Sequence, residues 1–320
     1  MDYKELHNDL FVVNAHLDSI MHIVDEDYDY TIGNKKWHSD IPRIKEGGVD
    51  LIVLAVYIDE HFKPDSALRR AMEMLDAGNQ LIEKSPELEL VLTGEDIQRV
   101  KDEGKIGVML ALEGADPILN IGTLRNFYRL GIRLMTITWS YSNLLAAGVA
   151  EKHGWGLTDF GRECIEEMNR LGMIIDVSHL HPKGFWDIIE LSKDPIVASH
   201  SNAKAVTDHP RNLTDKQLEA IKDSGGVVGL CYSGNHLKKG GNASIDDIFK
   251  HLHHIKETIG IEHIGLGTDF DGIGTPPAGQ EDISKNPLIT KRLLEEGFGR
   301  GEIENIMGQN FVRVIKEVLK

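Results

Sequence analysis

The chain has 320 residues, of which 41% are hydrophobic and 27% are charged, a composition typical of a globular protein with a full core. It carries 51 acidic and 35 basic side chains, and the net charge of −16 argues against nucleic acid or an anionic membrane as a partner. There are two cysteines, no basic start followed by an apolar run, and no apolar run long enough to span a membrane. We therefore expect a cytoplasmic protein with reduced thiols.

Short apolar runs rich in β-branched residues recur along the whole chain. Continuous runs of this kind are typical of parallel strands that are buried on both faces. The sequence predicts eight such strands, at Leu10–Ala15, Val49–Tyr57, Ile106–Leu112, Ile132–Thr138, Met173–Val177, Pro195–Ser199, Val227–Cys231 and His263–Gly267.

Amphipathic stretches between these runs predict helices, for example over Ser66–Glu83 and Thr158–Leu171. Thr214 and Gln217 have the spacing of a capping box and predict a helix start, and Ser244 with Asp247 is a weaker signal of the same kind. Strands that alternate with helices favour a single α/β domain over residues 1–320, folded as a (β/α)8 TIM barrel with extra C-terminal helices. An open, doubly wound sheet is the alternative.

Side chains that can bind metals follow the predicted strands. Because the carboxyl ends of barrel strands meet at one mouth, we expect residues that are far apart in sequence to converge there. This set comprises His16, Asp18, Glu113, His179, His200 and Asp269.

The three imidazoles together with the carboxylates of Asp18 and Glu113 form a ligand set suited to zinc, with manganese or cobalt as alternatives. Glu113 is able to bridge two cations, and a water molecule held between two cations becomes a nucleophile near neutral pH. A single histidine or carboxylate at a strand end is more often structural, but chance rarely places five at corresponding ends. The sequence therefore predicts a two-metal hydrolase.

Two other histidine groups are weaker candidates. His7 and Asp9 repeat the spacing of His16 and Asp18, but they precede the first predicted strand and so belong at the opposite end of the barrel. A second group, expected to be solvated or to face a helix dipole, lies on one predicted helix and comprises His251, His253 and His254.

From about Val12 to Val314 the chain resembles the membrane (renal) dipeptidase family, zinc peptidases among the amidohydrolase-like barrels. The motifs that carry the resemblance are Asp40–Gly48, Gly172–His179, Ser199–Asn202, His209–Leu213, Gly267–Gly272 and Glu281–Ser284.

The resemblance implies two divalent ions, zinc above all, with Glu113 shared between His16 and Asp18 on one side and His179 and His200 on the other. It also implies two roles for residues outside the ligand set. Asp269 matches the acid/base residue, which takes a proton from the bridging water and delivers it to the leaving amine; Asp271 is the neighbouring alternative. Arg211 matches the residue that binds the substrate carboxylate, and the family often forms homodimers.

The chain departs from the family pattern at three places. Asn14–Asp18 replaces the usual Asp-Gly-His-Asn-Asp, so the support around the ligands differs. Trp139 stands where mammalian members have a histidine that binds the substrate carbonyl, and its indole offers one N–H donor or an apolar wall. His236 lies near the position of a substrate-contacting tyrosine.

The leading hypothesis is a dizinc dipeptidase for small dipeptides, including those with a D-residue on the carboxyl side. A hydrolase of another amide, lactone or ester on the same site is the alternative, and a non-catalytic metal-binding member is a third. Arg211 favours the dipeptidase because it calls for an anionic substrate end.

Overall fold

The computed structural model describes residues 2–26, 28–33 and 35–319. Within these ranges, nine parallel strands form one sheet. They are β1 (Val13–Leu17), β2 (Leu51–Tyr57), β3 (Leu88–Leu90), β4 (Ile106–Glu113), β5 (Ile132–Thr136), β6 (Ile174–Asp176), β7 (Val197–Ser201), β8 (Val227–Leu230) and β9 (Ile264–Leu266).

Eight of these strands close into a barrel, in the order β1, β2, β4, β5, β6, β7, β8, β9 and back to β1. The pairing of β2 with β4 closes the ring and excludes an open sheet. It extends from Leu51, opposite Gly107, to Tyr57, opposite Glu113. The strand β3 lies outside this ring and pairs only with the first half of β4. The (β/α)8 barrel predicted from the sequence is therefore confirmed.

Helices cover the outside of the barrel and one of its ends. Among the described residues they are α1 (Tyr3–Asp9), α2 (Ser19–Asp25), α3 (Ile41–Glu46), α4 (Ala67–Lys84), α5 (Asp96–Glu103), α6 (Ile121–Arg129), α7 (Asp159–Leu171), α8 (Pro182–Leu191), α9 (Asp215–Asp223), α10 (Gly234–Leu237), α11 (Ile245–Ile259), α12 (Pro287–Glu295), α13 (Arg300–Glu304) and α14 (Asn310–Val318). A π-helical turn, Asn305–Gln309, joins α13 to α14.

The strands are buried on both faces, as their continuous apolar runs predict. Alternate residues such as Val13 and Val53 belong to the interior cluster of the barrel, whereas Ile52 and Leu54 belong to the cluster shared with the surrounding helices. The last helix, α14, contributes Phe311 and its apolar neighbours to the interior cluster. Because β-strand side chains alternate between faces, one strand serves both cores.

Local signals fix the helix ends. Thr214 and Gln217 form the reciprocal capping-box hydrogen bonds expected at the start of α9. At the start of α11 the Asp247 carboxylate accepts from the backbone N–H of Ser244 at 3.1 Å, which is one of the two expected bonds. Gly172 ends α7 in the left-handed region, at φ 68°, where glycine carries no steric cost.

The eight predicted strands all exist, but β3 was missed because three residues carry too little periodicity to recognise. The two cysteines are both free. Among the described residues, no helix combines the length and apolarity that crossing a membrane requires.

Candidate active site

The candidate ligands lie together at the carboxyl ends of the barrel strands. His16 and His200 are the second-to-last residues of β1 and β7. Glu113 ends β4, and Asp18 precedes α2. His179 lies three residues after β6. All five are buried, with relative exposures of 8% or less. The structure thus brings the five residues into one buried cluster.

The cluster contains two overlapping groups that share Glu113, and the ligand atoms in each lie within 4.8 Å of one another. In the first group, His16 Nε2 lies 3.6 Å from Asp18 Oδ2 and 3.4 Å from Glu113 Oε2. In the second, Glu113 Oε1 lies 3.1 Å from His179 Nε2 and 3.6 Å from His200 Nε2. Each oxygen of Glu113 therefore faces a different group.

Charge is concentrated in this cluster without solvent to screen it. Burial, and then the neighbouring Glu113, raise the pKa of Asp18 well above its ordinary value. Burial opposes protonation of His16, but Glu113 and Asp18 outweigh it and raise the His16 pKa well above its ordinary value. The two carboxylates thus stabilise a positive charge next to them.

Two of the three imidazoles are kept neutral. Burial lowers the pKa of His179 to about 4, and Arg211 acts in the same direction. Burial, followed by His16 and Arg211, lowers the pKa of His200 well below its ordinary value. Their Nε2 atoms face each other at 2.9 Å. Neutral imidazoles with converging lone pairs are suited to metal binding.

Neighbouring hydroxyl groups orient these imidazoles. His200 Nδ1 lies 2.8 Å from Ser199 Oγ, which donates to Asp176 Oδ2 at 2.6 Å. His179 Nδ1 lies 3.2 Å from Ser140 Oγ. Contacts of this kind fix which ring nitrogen faces the cluster.

Asn14, which departs from the family motif, also supports the site. Its amide nitrogen donates to Thr268 Oγ1 at 2.8 Å, and its amide oxygen accepts from the backbone N–H of His16 at 3.3 Å. Asn14 therefore links β1 to the segment that leads to Asp269.

Backbone strain is confined to this mouth. Among the described residues, the non-glycine residues with positive φ are His179 at 65°, Asp269 at 63° and Asp271 at 71°. A side chain in this region is held there against a local energy cost, and such residues cluster at functional sites.

The two neighbouring aspartates have different surroundings. Asp269 lines the cavity at the barrel mouth, and burial raises its pKa to about 6. Asp271 accepts hydrogen bonds from Ser19 Oγ at 2.5 Å and Ser39 Oγ at 2.6 Å, and it is 2% exposed. Of the two, Asp269 is the residue that lines the cavity.

A cavity of about 370 Å³ opens over the cluster, and Trp139, Arg211 and His236 all line it. Arg211 is 8% exposed, makes no ion pair with a described residue, and donates from a terminal guanidinium nitrogen to the His200 carbonyl at 3.1 Å. His236 packs its ring against His209, with ring centroids 4.5 Å apart. Burial, followed by Arg211, lowers its pKa to about 2, so the ring is neutral.

Sequence reasoning missed two residues beside this cavity. Tyr57 lines it from the end of β2, opposite Glu113 in register, and its position at a strand end was an available signal. Cys231 Sγ lies 3.5 Å from Asp269 Oδ2, a contact between loops that no local pattern could indicate.

The weaker histidine candidates lie elsewhere. His7 is buried on α1, with Nδ1 2.7 Å from Thr290 Oγ1 and Nε2 2.9 Å from the Gly47 carbonyl. His251 is fully buried, which excludes the solvated role that was one of the two expected for this group. Its Nδ1 accepts from the backbone N–H of Ala203, and its Nε2 lies 3.0 Å from the Leu237 carbonyl. Polar backbone groups of two loops therefore hold it inside.

Comparison with known proteins finds a matching family model and similar sequences. The family model described as membrane dipeptidase (peptidase family M19) matches residues 1–320. The chain is 33% identical to an uncharacterized dipeptidase of Schizosaccharomyces pombe, over 98% of this chain and 79% of that protein. It is 34% identical to dipeptidase verJ of Clonostachys rogersoniana, over 88% and 76%.

The fold also matches a solved structure. A metallopeptidase from Rhodobacter sphaeroides, crystallised with a phosphinate mimic of the dipeptide L-Ala-D-Ala, superposes with a TM-score of 0.90. The two sequences are 28% identical, and the match covers 97% of this chain and 99% of that one.

Proposed function

This chain belongs to the membrane dipeptidase family of metal-dependent peptidases, and on that premise we propose that it hydrolyses small dipeptides at a two-zinc site. The substrates have a free carboxyl terminus and include dipeptides with a D-residue on the carboxyl side, as in the mimic bound to the Rhodobacter sphaeroides relative. The cavity of the present chain, about 370 Å³, is near the small end of the range for ligand sites, which suits a dipeptide better than a longer peptide.

The donor set fits two divalent cations. His16 and Asp18 would hold one, His179 and His200 the other, with Glu113 shared between them. Neither ring nitrogen of His16 makes a hydrogen bond with a described residue, and neither does Asp18 Oδ1, although all three atoms are buried. Buried polar atoms without partners are costly, so a ligand that satisfies them is expected. Imidazole and carboxylate donors together favour zinc.

Cations held there would lower the pKa of a water molecule and polarise the amide carbonyl. Asp269 faces the same cavity with a carboxyl group whose pKa burial raises to about 6. A carboxyl group with a pKa near the working pH is able both to accept a proton and to return it. Asp269 therefore takes the proton of the attacking water and delivers it to the leaving amine nitrogen.

The observation that carries the dipeptide assignment is Arg211. A guanidinium group that is 8% exposed and has no ion pair within the described chain lacks the counter-charge that buried cations require. A substrate carboxylate supplies this charge, with the paired geometry that guanidinium groups favour. Arg211 therefore binds the carboxyl terminus and leaves the amide bond over the ligand cluster.

A substrate panel on the zinc-loaded protein tests the proposal. L-L and L-D dipeptides should be hydrolysed, whereas the same dipeptides with an amidated carboxyl terminus should lose at least about 30-fold in kcat/KM, because Arg211 is left without its partner. Equal hydrolysis of free and amidated dipeptides would contradict the role of Arg211. Simple lactones and esters without a carboxylate are the comparison, and a preference for them would favour the alternative hydrolase.

A further inference from the structure

The candidate active-site cavity has an aromatic side and a side that carries Arg211. Tyr57 ends β2 and Trp139 follows β5, and these two strands flank β4 in the barrel. Arg211 follows β7 and His236 follows β8, on the other side of the ring. A dipeptide whose carboxylate lies at Arg211 therefore directs its amino-side residue towards Tyr57 and Trp139.

The two aromatic rings form a continuous wall. Their centroids lie 5.4 Å apart at an interplanar angle of 57°, and both residues line the cavity. Met21 and Ile273 also line it, which adds apolar surface. Arg211 and the carboxylates of Asp18, Glu113 and Asp269 are the charged groups among the cavity-lining residues. The carboxylate on the aromatic side is Glu113, which belongs to the ligand cluster, so a charged substrate side chain would find no ionic partner there outside that cluster.

Lys63 contacts both rings of this wall without lining the cavity. Its side chain is 10% exposed and does not line the cavity. Its Nζ lies 5.3 Å from the centroid of the Trp139 ring and 6.0 Å from that of the Tyr57 ring, within reach of a cation–π contact with both. Lys63 Nζ forms ion pairs with Glu60 Oε1 at 2.8 Å and with Asp116 Oδ2 at 3.5 Å.

We propose that the Tyr57–Trp139 wall determines specificity for the amino-side residue of the dipeptide, that it selects neutral apolar side chains, and that Lys63 is the positioning residue that fixes it. This inference rests on the proposed function, since it takes Arg211 as the carboxylate anchor. Apolar side chains gain by leaving water for the aromatic surface, whereas charged side chains lose hydration there without compensation.

The first test is a panel of dipeptides with alanine on the carboxyl side and glycine, alanine, leucine, phenylalanine, lysine or aspartate on the amino side. The zinc-loaded parent should show kcat/KM values for the leucyl and phenylalanyl peptides at least about 10-fold above those of the glycyl, lysyl and aspartyl peptides. Lysyl or aspartyl peptides that match the leucyl peptide would overturn the inference.

Variants of the wall and of its support form the second test. Trp139→Ala should bring leucyl and alanyl peptides within about twofold of each other, since it removes the apolar contact that distinguishes them. Lys63→Met should raise KM for the leucyl peptide about 5-fold while kcat changes less than about 2-fold, the pattern of lost substrate binding. Lys63→Arg keeps a cation over the rings and should restore the parent KM.

Lys63→Met removes the cation that pairs with Asp116. The double variant Lys63→Met/Asp116→Asn therefore tests the loss of Lys63 without leaving an unpaired carboxylate at position 116. It should show the same rise in KM, and a parental KM in this variant would refute the positioning role. Lys45→Met removes another lysine that pairs with a glutamate, Glu87, on the outside of the protein and should leave the panel unchanged.

The outcomes separate the two proposals. If no dipeptide in the panel is hydrolysed, the proposed function fails. If the alanyl peptide is hydrolysed but the panel shows no preference on the amino side, the function stands and the inference about the wall is wrong.

Discussion

Asp269 and Asp271 show how two neighbouring residues of one type acquire different tasks. Both have positive φ, and the intervening residue, Phe270, accepts a backbone hydrogen bond from Asp18 at 3.0 Å. The Asp271 carboxylate is held by the hydroxyl groups of Ser19 and Ser39, while that of Asp269 faces the cavity. The strained turn therefore directs one carboxyl group into the cavity and anchors the other to the serine hydroxyl groups.

Replacement of Asp269 should separate catalysis from metal binding. Asp269→Asn keeps the shape of the side chain but cannot accept and return a proton, so kcat should fall by at least about 100-fold. Metal content, measured by elemental analysis, should remain that of the parent. Asp208→Asn, whose side chain is 88% exposed, is the matched control and should retain full activity. Parental activity in Asp269→Asn would exclude its role as the acid/base residue.

Arg211 leads to a prediction about binding. Arg211→Ala should raise KM for dipeptides at least about 30-fold, because the substrate carboxylate loses its only cationic partner among the cavity-lining residues. Steady-state kinetics on free and amidated dipeptides measure this effect, and the variant should no longer distinguish the two. A variant that still prefers free carboxylates would show that another group binds them.

At the residue scale, the sequence predicted which side chains come together where they lie at strand ends. His16, Glu113 and His200 lie at strand ends, and a barrel brings such ends together whatever the loops do. The contacts of Lys63 with Trp139 and Asp116 could not be predicted in this way, because they depend on how separate loops pack. Loop contacts between distant segments are set by tertiary structure, which no local pattern encodes.

At the scale of elements, α11 is held to the barrel mouth by a buried histidine. The Nδ1 of His251 accepts from the Ala203 N–H at 3.1 Å, so its Nε2–H donates to the Leu237 carbonyl at 3.0 Å. Burial lowers the His251 pKa to about 4, although the hydrogen bond to Leu237 opposes this. The neutral ring thereby joins the loop after β7, the end of α10 and α11.

This arrangement predicts a loss of stability in acid. The unfolded chain binds a proton at His251 below about pH 6.5, whereas the folded chain does so only below about 4, so stability falls as the pH drops between these values. Relative to His251→Gln, the parent should lose about 3 kcal/mol of unfolding free energy between pH 7.5 and 4. Urea unfolding at several pH values measures this difference, and a constant difference would contradict the assignment.

Element boundaries were harder to predict than element types. The first strand was predicted over Leu10–Ala15 but runs over Val13–Leu17, so His16 lies inside it. The apolar residues Leu10 to Val12 are buried all the same, below the barrel. Burial on both faces makes a strand and its approach look alike in sequence, since both are continuously apolar.

At the scale of the whole molecule, the closed barrel creates the concentration of charge at its mouth. Eight parallel strands end around one opening, and β1, β4 and the segment after β9 each bring a carboxyl group there: Asp18, Glu113 and Asp269. Buried carboxylates at this spacing repel one another unless a cation lies between them. The fold thus concentrates negative charge at this mouth, where a protonated His16 offsets part of it and a bound cation would offset more.

Because Glu113 belongs to both ligand groups, its replacement should affect the binding of both ions. The parent, purified without chelators, should contain close to two divalent ions per chain. Glu113→Gln removes the carboxylate that serves both groups and should reduce the content towards zero, whereas His179→Gln affects only the second group and should leave about one ion. Elemental analysis after gel filtration measures all three proteins.

His253→Gln provides the control for this series, because His253 lies on the surface and pairs with Glu296 at 2.7 Å, and its metal content should match the parent. Chelation should also lower the unfolding free energy of the parent, by about 4 kcal/mol for each ion that had been present at 1,000 times its dissociation constant. A Glu113→Gln protein that keeps both ions would mean that the two groups are independent sites. The barrel mouth would then hold two separate ions, rather than one centre joined by a shared carboxylate.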